Sequence, residues 1–276
     1  MGTTNKTNYN AYGEELERLL ALRYAPVAFK MLEREEDIPE GAIRPKRDMG
    51  CHYAMCQAIA LVRRQRKHIA MLNEDHWCMW AIIGLGTAAF HDGMEGYEPA
   101  VCNPFFDDPK KGRVFFETSF PRLETGKFIG FTMAPLDTAS FEPDLVMIYA
   151  KPAQLRSLLM GAKYKLGTLI HSEFDAIDSC IYATVPTLKT GEYRITVPDP
   201  GEYERALTDE DEMIFTIPMQ KLADLLEGLR WMASIGLGYK GLTMELKADF
   251  ARPKFYDDLA RGWGLDQGEV LQPRIR

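Results

Sequence analysis

The stretch DLVMIYAKPAQLRSLLMGAKY at residues 144–164 aligns without gaps to DEMIFTIPMQKLADLLEGLRW at residues 211–231. In each copy a short apolar run typical of a buried strand is followed by a proline and by leucines at helical spacing. The pattern predicts two strand–helix units 67 residues apart, with a duplication favoured over a chance likeness of two ordinary units. Five of the 21 positions are identical, namely Asp144/Asp211, Leu155/Leu222, Leu158/Leu225, Leu159/Leu226 and Gly161/Gly228.

In the rest of the chain, the spacing of apolar residues predicts further helices and strands. The two kinds of element do not alternate strictly along the sequence. We expect an α+β fold with mixed α/β layers. No stretch has the composition of a linker, so residues 1–276 are predicted to form a single domain, with a core over about 15–235 and a C-terminal helical extension over about 240–276. Besides the two units, helices are predicted over 12–22, 48–66 and part of 244–263. Strands are predicted over 27–32 and 127–134, and loops over 93–112 and 171–196.

Composition limits the classes of partner. Hydrophobic residues at 46% and charged residues at 26% are typical of a soluble globular protein. The net charge of −7 argues against nucleic acid, whose phosphates require a basic face on the protein. The basic run at residues 63–68 is the exception, and a solvated helix end explains it better than an anion site.

The chain also carries no predicted membrane segment. The apolar run at residues 77–90 is shorter than the roughly 20 residues that span a bilayer. Residues 1–10 are polar and lack the apolar core of an export signal. Five cysteines, an odd number, without such a signal indicate reduced thiols in the cytoplasm. We therefore expect a cytoplasmic protein with no membrane or nucleic-acid partner.

The cysteines are the main chemical feature of the chain, because thiolates bind thiophilic metals and iron–sulfur clusters. Cys51, Cys56 and Cys78 fall within 28 residues, whereas Cys102 lies in the predicted 93–112 loop and Cys180 in the predicted 171–196 loop. Two residues five apart on a helix point about 140° from each other. Cys51 and Cys56 can therefore share a site only if Cys51 precedes the helix.

Two interpretations of these thiols stay open. Taken singly, each cysteine is better explained as a small buried apolar residue than as a ligand, and Cys102 is taken as structural. Taken together, several of the thiols could share one metal site. His76, two residues before Cys78, could then ligate or hydrogen-bond near the same site.

Several short segments, in this order, resemble the family catalogued as domain of unknown function 169. The similarity covers roughly residues 15–235, and no single motif is diagnostic, whereas their order and spacing are specific. The segments are residues 22–30 (LRYAPVAFK), Cys56-Gln57-Ala58, Cys78, residues 141–146 (FEPDLV), Ser179-Cys180, residues 211–213 (DEM) and Ile217-Pro218.

The resemblance implies an anaerobic bacterial or archaeal context and cysteines recurring at the positions of Cys56, Cys78 and Cys180. That pattern implies ligation of an iron–sulfur cluster, a 4Fe–4S cluster being favoured, or of another metal. Many members carry a further cysteine and an arginine before the DEM segment. Here residues 198–205 contain no cysteine, so Cys51 would replace it, or one iron would stay open, which suits a lyase. Arg205 matches the arginine and would hold an anionic substrate, the alternative being a surface arginine beside Glu202 and Glu204.

Two functional hypotheses follow. The first is a cytoplasmic iron–sulfur lyase or oxidoreductase that acts on a small organic substrate, or with a redox partner protein, at an open iron near Arg205 and His76. The second is a non-catalytic ligand-binding, sensor or cofactor-assembly protein without a cluster. The sequence does not distinguish a monomer from a homo-oligomer.

Overall fold

One antiparallel sheet of six strands organises the chain. We describe residues 9–89, 105–239 and 253–265 of a computed structural model. The strands are β1 Val27–Leu32, β2 Ile69–Leu72, β3 Gly130–Pro135, β4 Leu145–Ala150, β5 Arg194–Thr196 and β6 Met213–Pro218. Their order in the sheet is β2-β3-β1-β4-β6-β5, and every neighbouring pair is antiparallel. The predicted α+β fold is confirmed.

Helices cover both faces of this sheet. The helices are α1 Tyr9–Leu20, α2 Pro45–Met49, α3 Met55–Gln65, α4 Met79–Gly84, α5 Pro109–Thr118, α6 Pro152–Leu166, α7 Ser179–Thr190, α8 Pro200–Arg205, α9 Leu222–Ser234 and α10 Lys254–Gly262. Successive side chains of a strand point to opposite faces. In β4, Leu145, Met147 and Tyr149 pack toward α3 and α7. Val146 and Ile148 pack in the opposite core, with α1, α6 and α9.

The two strand–helix units are related by a local twofold axis. Strands β4 and β6 pair so that Ile148 faces Phe215, and these residues are equivalent positions of the two aligned copies. Equivalent residues also meet between the helices, where the Tyr164 and Trp231 rings stack with centroids 5.8 Å apart. A Cβ built on Gly228 would lie 2.0 Å from the carbonyl oxygen of Gly161. The matching glycines of the sequence repeat therefore mark the crossing of α6 and α9.

Several predicted elements have different bounds from those observed. The helix expected over 48–66 is two helices, because Gly50 ends α2 in the left-handed region at φ 70° and α3 begins only at Met55. Of the loop expected over 93–112, residues 93–104 lie outside the described residues. Helix α5 begins within the rest of it, at Pro109, with Asp108 as its N-cap. The expectation that Cys180 lies in a loop is wrong, since Ser179–Thr190 is helical.

Three further expectations concern the ends and the surface. The helix expected before residue 22 is α1, and the strand expected over 27–32 has those bounds. Helix α10 lies within the predicted C-terminal extension. Across the described ranges, no helix combines the length and apolar character needed to cross a bilayer.

Candidate functional site

Three cysteines reach one region of the molecule from three separate elements. Cys56 is the second residue of α3, Cys78 directly precedes α4, and Cys180 is the second residue of α7. Cys56 and Cys180 are buried, and Cys78 is partly buried. Cys78 and Cys56 belong to one small apolar cluster with Ala54, Ala60 and Ala206.

Packing on the sheet determines this convergence. Helices α3 and α7 both bury apolar side chains in the same core, Met55 and Ile59 from α3, Ile181 and Val185 from α7. Helix α4 lies so close to α7 that a Cβ on Gly84 would be 2.7 Å from the Ile181 side chain. These contacts hold the three cysteine-bearing elements in one part of the molecule, with the last residue of α4 against the first turn of α7.

The thiols interact electrostatically. Burial raises the pKa of Cys180 well above its ordinary value, and the neighbouring Cys56 and Cys78 raise it further. Burial likewise raises the pKa of Cys56 to about 12, with a contribution from Glu202, against the opposing effect of Arg205. Burial also raises the pKa of Cys78. All three are thiols at neutral pH in this arrangement, and a cation would be needed to bring them to the thiolate form.

Three carboxylates at the start of α7 and α8, Asp178, Asp199 and Glu202, lie near the thiols. Asp199 caps both helices, since its Oδ2 accepts the backbone N–H of Ser179 at 3.0 Å and its Oδ1 accepts that of Glu202 at 2.9 Å. Burial, together with Asp199 and Asp175, raises the pKa of Asp178 to about 7. The backbone of Asp178 is left-handed at φ 57°, which is uncommon outside glycine.

Glu202 connects the thiol region to a buried polar network. It is 1% exposed and accepts hydrogen bonds from the hydroxyls of Tyr149 at 2.9 Å, Thr208 at 3.0 Å and Ser179 at 3.3 Å. Burial, with the nearby charge of Asp199, raises the pKa of Glu202 to about 7. The network continues through Thr208 to the guanidinium of Arg63.

Arg205 is exposed and lies near these thiols. Its guanidinium stacks on the Trp77 ring at 4.8 Å from the centroid. It also folds back over the first turn of α8, because a Cβ on Gly201 would lie 2.0 Å from its Nη2. Arg205 lowers the pKa of Cys56 by its charge and by a side-chain hydrogen bond, although burial outweighs this effect.

The remaining predicted residues lie elsewhere or are not described. Cys51 follows α2 and interacts with Tyr53. The His76 ring packs edge-on against Phe131, and its buried Nδ1 has no hydrogen-bond partner. Burial lowers the pKa of His76 to about 4, so the ring is neutral. Cys102 lies outside the described residues.

The region thus contains soft donors without a preformed cage. Within the parts of the chain that we describe, no three His, Cys, Asp or Glu side chains are grouped closely enough to hold a metal ion as they stand.

Sequence reasoning missed the carboxylates and the residues that hold Arg205. Asp178, Asp199 and Glu202 lie in segments without a recognisable acidic motif, and their partners are up to 53 residues away in the chain. In the sequence, Gln57 stands out only as part of Cys56-Gln57-Ala58. It accepts the Trp77 indole N–H at 3.0 Å and the Ala54 backbone N–H at 3.0 Å. Gln57 directly follows Cys56, and Trp77 directly precedes Cys78. These adjacent positions were the sequence signals that could have indicated both residues.

Comparison with known proteins gives a family and one curated relative. The family model described as uncharacterised ArCR, domain of unknown function 169, matches residues 15–228. An uncharacterized protein of Methanocaldococcus jannaschii is 24% identical over 229 residues, which cover 82% of this chain and 94% of the relative. No solved structure matches the chain significantly.

Proposed function

The chain belongs to the uncharacterised ArCR family, domain of unknown function 169, and we propose that it is a cytoplasmic metalloprotein in which Cys56, Cys78 and Cys180 ligate a thiophilic metal. An iron–sulfur cluster is the form we favour. The observation that supports this most is that Cys56 and Cys78, carried by two other elements, both lie near enough to Cys180 to raise its pKa. Three sulfur donors in one partly apolar region are the ligand set that such metals prefer.

The carboxylates near the thiols favour a cation, whereas burial, the larger cause of the raised pKa values, opposes any charged group there. Burial and the neighbouring carboxylates raise the pKa values of Cys56, Cys180 and Glu202. A metal cation would reverse this effect, because it stabilises the thiolate form of each ligand and releases the proton. The proposal also requires the three sulfur atoms to approach one another further on binding, since no such group is preformed in the described ranges.

The protein's own residues would then define the site around the metal. Such a centre supplies Lewis-acid or one-electron chemistry, which corresponds to a lyase or an oxidoreductase acting on a small organic substrate. Arg205 would lie on the open side of the metal, and Trp77 covers one face of its guanidinium. His76 is neutral and packs toward the sheet, and the fourth ligand is Cys51, solvent or substrate.

Metal analysis of cysteine variants tests this proposal. After anaerobic purification and reconstitution, we expect at least about two iron atoms per chain with matching acid-labile sulfide. Cys56→Ser, Cys78→Ser and Cys180→Ser should each lose most of this iron, because serine does not replace a thiolate ligand for a soft metal. Ala60→Ser is the matched control, because Ala60 belongs to the same cluster as Cys56 and the change removes no sulfur. It should retain the iron.

The outcomes separate the proposal from its alternative. A reconstituted chain with less iron than this, unchanged by Cys56→Ser, would contradict the cluster and favour a non-catalytic ligand-binding, sensor or assembly protein. Cys51→Ser identifies the fourth ligand. Loss equal to that in Cys56→Ser assigns Cys51, and retention leaves the position to solvent or substrate.

A further inference from the structure

We infer that Arg205 and Trp77 form a recognition site for the carboxylate of a small organic acid, beside the thiol region. The inference rests on the proposed function for its biological setting, since it names the class of substrate that the metal would meet. The contacts of Arg205 itself, however, are independent of any metal.

The guanidinium of Arg205 is fixed in position by stacking. Trp77 covers one face at 4.8 Å, and the side chain occupies the space that a Cβ of Gly201 would need. Trp77 is itself held by the hydrogen bond from its indole N–H to Gln57. Trp77, which contacts the arginine, directly precedes Cys78 in the chain, and Gln57, which holds Trp77, directly follows Cys56.

The charge of Arg205 is available to a ligand. Within the described ranges no carboxylate forms an ion pair with it, and its guanidinium acts instead on Trp77, Cys56 and Cys78. A guanidinium carries five N–H donors in a planar fork that matches a carboxylate in a bidentate pair. Arg64 provides a contrast, since it stacks on the Tyr24 ring at 4.2 Å but pairs with Asp209 at 2.9 Å.

The surroundings favour a carboxylate over a phosphate. Asp178, Asp199 and Glu202 lie close enough to the neighbouring thiols to raise their pKa values. These groups repel a dianion more strongly than a monoanion. Apolar surface is also exposed on both sides of Cys78, where Trp77 is 48% and Met79 70% exposed. An exposed aromatic and thioether surface suits the organic body of an acid.

Calorimetric titration of the full-length chain tests this inference, in the metal-free and in the metal-loaded state. The probes are acetate, malonate, succinate and benzoate, their neutral amides, and inorganic phosphate. At least one carboxylate should bind, and its amide should bind at least about tenfold more weakly. Arg205→Gln should weaken that carboxylate by at least about tenfold, and Arg205→Lys by less, since it keeps the charge without the fork. Arg64→Gln should leave the affinity unchanged.

Several results would overturn the inference. One is that Arg205→Gln binds a carboxylate as tightly as the unmodified chain does, and another is that an acid and its amide bind equally. The others are that phosphate binds more tightly than any carboxylate, or that no carboxylate binds at all. Iron content measured on the same samples separates the two proposals. Carboxylate binding without iron would contradict only the proposed metal function, and iron without carboxylate binding would contradict only the role of Arg205.

Discussion

Replacing Arg63 by methionine is expected to lower the free energy of unfolding by about 3–5 kcal/mol. Arg63 is 2% exposed and forms a bidentate pair with Glu212, at 2.9 Å from Nη1 to Oε1 and 2.8 Å from Nη2 to Oε2. Its guanidinium also lies over the Tyr149 ring at 4.0 Å from the centroid. Methionine leaves the Glu212 carboxylate buried without a cation, and an uncompensated buried charge is costly. Urea denaturation gives the difference directly.

Two further variants identify the cause of this loss. Arg64→Met removes an ion pair with Asp209 whose two side chains are 19% and 29% exposed, and it should cost only about 0–1 kcal/mol. The double variant Arg63→Met with Glu212→Leu removes both charges and should recover much of the stability. If Arg63→Met costs no more than Arg64→Met, or if the double variant is less stable than Arg63→Met alone, the account of the buried pair is wrong.

Replacing Gly228 by alanine is expected to cost about 3 kcal/mol, near the upper end for overpacking. The new Cβ would lie 2.0 Å from the carbonyl oxygen and 2.8 Å from the carbonyl carbon of Gly161. Both atoms belong to the backbone, so no side chain can move aside, and helices α6 and α9 must separate. The loss should appear as a lower midpoint in thermal or urea unfolding.

Two other glycines serve as controls. Gly161→Ala meets the Leu229 side chain first, at 2.9 Å, and a side chain can shift, so the cost should be about 1 kcal/mol. Gly262 also lies in a helix, and nothing approaches its built Cβ within 4 Å. Gly262→Ala should therefore be neutral or stabilising by up to about 1 kcal/mol. Equal effects at Gly228 and Gly262 would contradict the close helix crossing.

Local pattern predicted the sheet better than it predicted the helices around the site. Residues 27–32 are a strand because an apolar run is followed by a charged segment, and that signal is contained in the sequence itself. Helix α7 was missed because its first turn follows a polar segment and Pro186 lies inside it. A proline usually argues against a helix interior. The start of α7 depends instead on Asp199, which accepts the Ser179 backbone N–H from 20 residues further on.

The site was predicted in part for the same reason. Cys56, Cys78 and Cys180 were singled out by their residue type and by the family resemblance, and packing of α3, α4 and α7 on one face brings them near each other. Their carboxylate neighbours could not be predicted, because each acquires its role from a partner distant in sequence. Gln57 illustrates the limit, since only the fold shows that one amide oxygen serves both Ala54 and Trp77.

The two copies related by the local twofold axis and the residues of the thiol region come from different parts of the chain. The paired copies at residues 144–164 and 211–231 contain no cysteine, and they meet through matching residues such as Gly161 and Gly228. Cys56, Cys78, Cys180 and Arg205 all come from segments before or between the copies. The paired copies therefore form a platform, and the segments outside them carry the thiols and Arg205. A substitution in those segments changes the thiol region without touching the contact between the two copies.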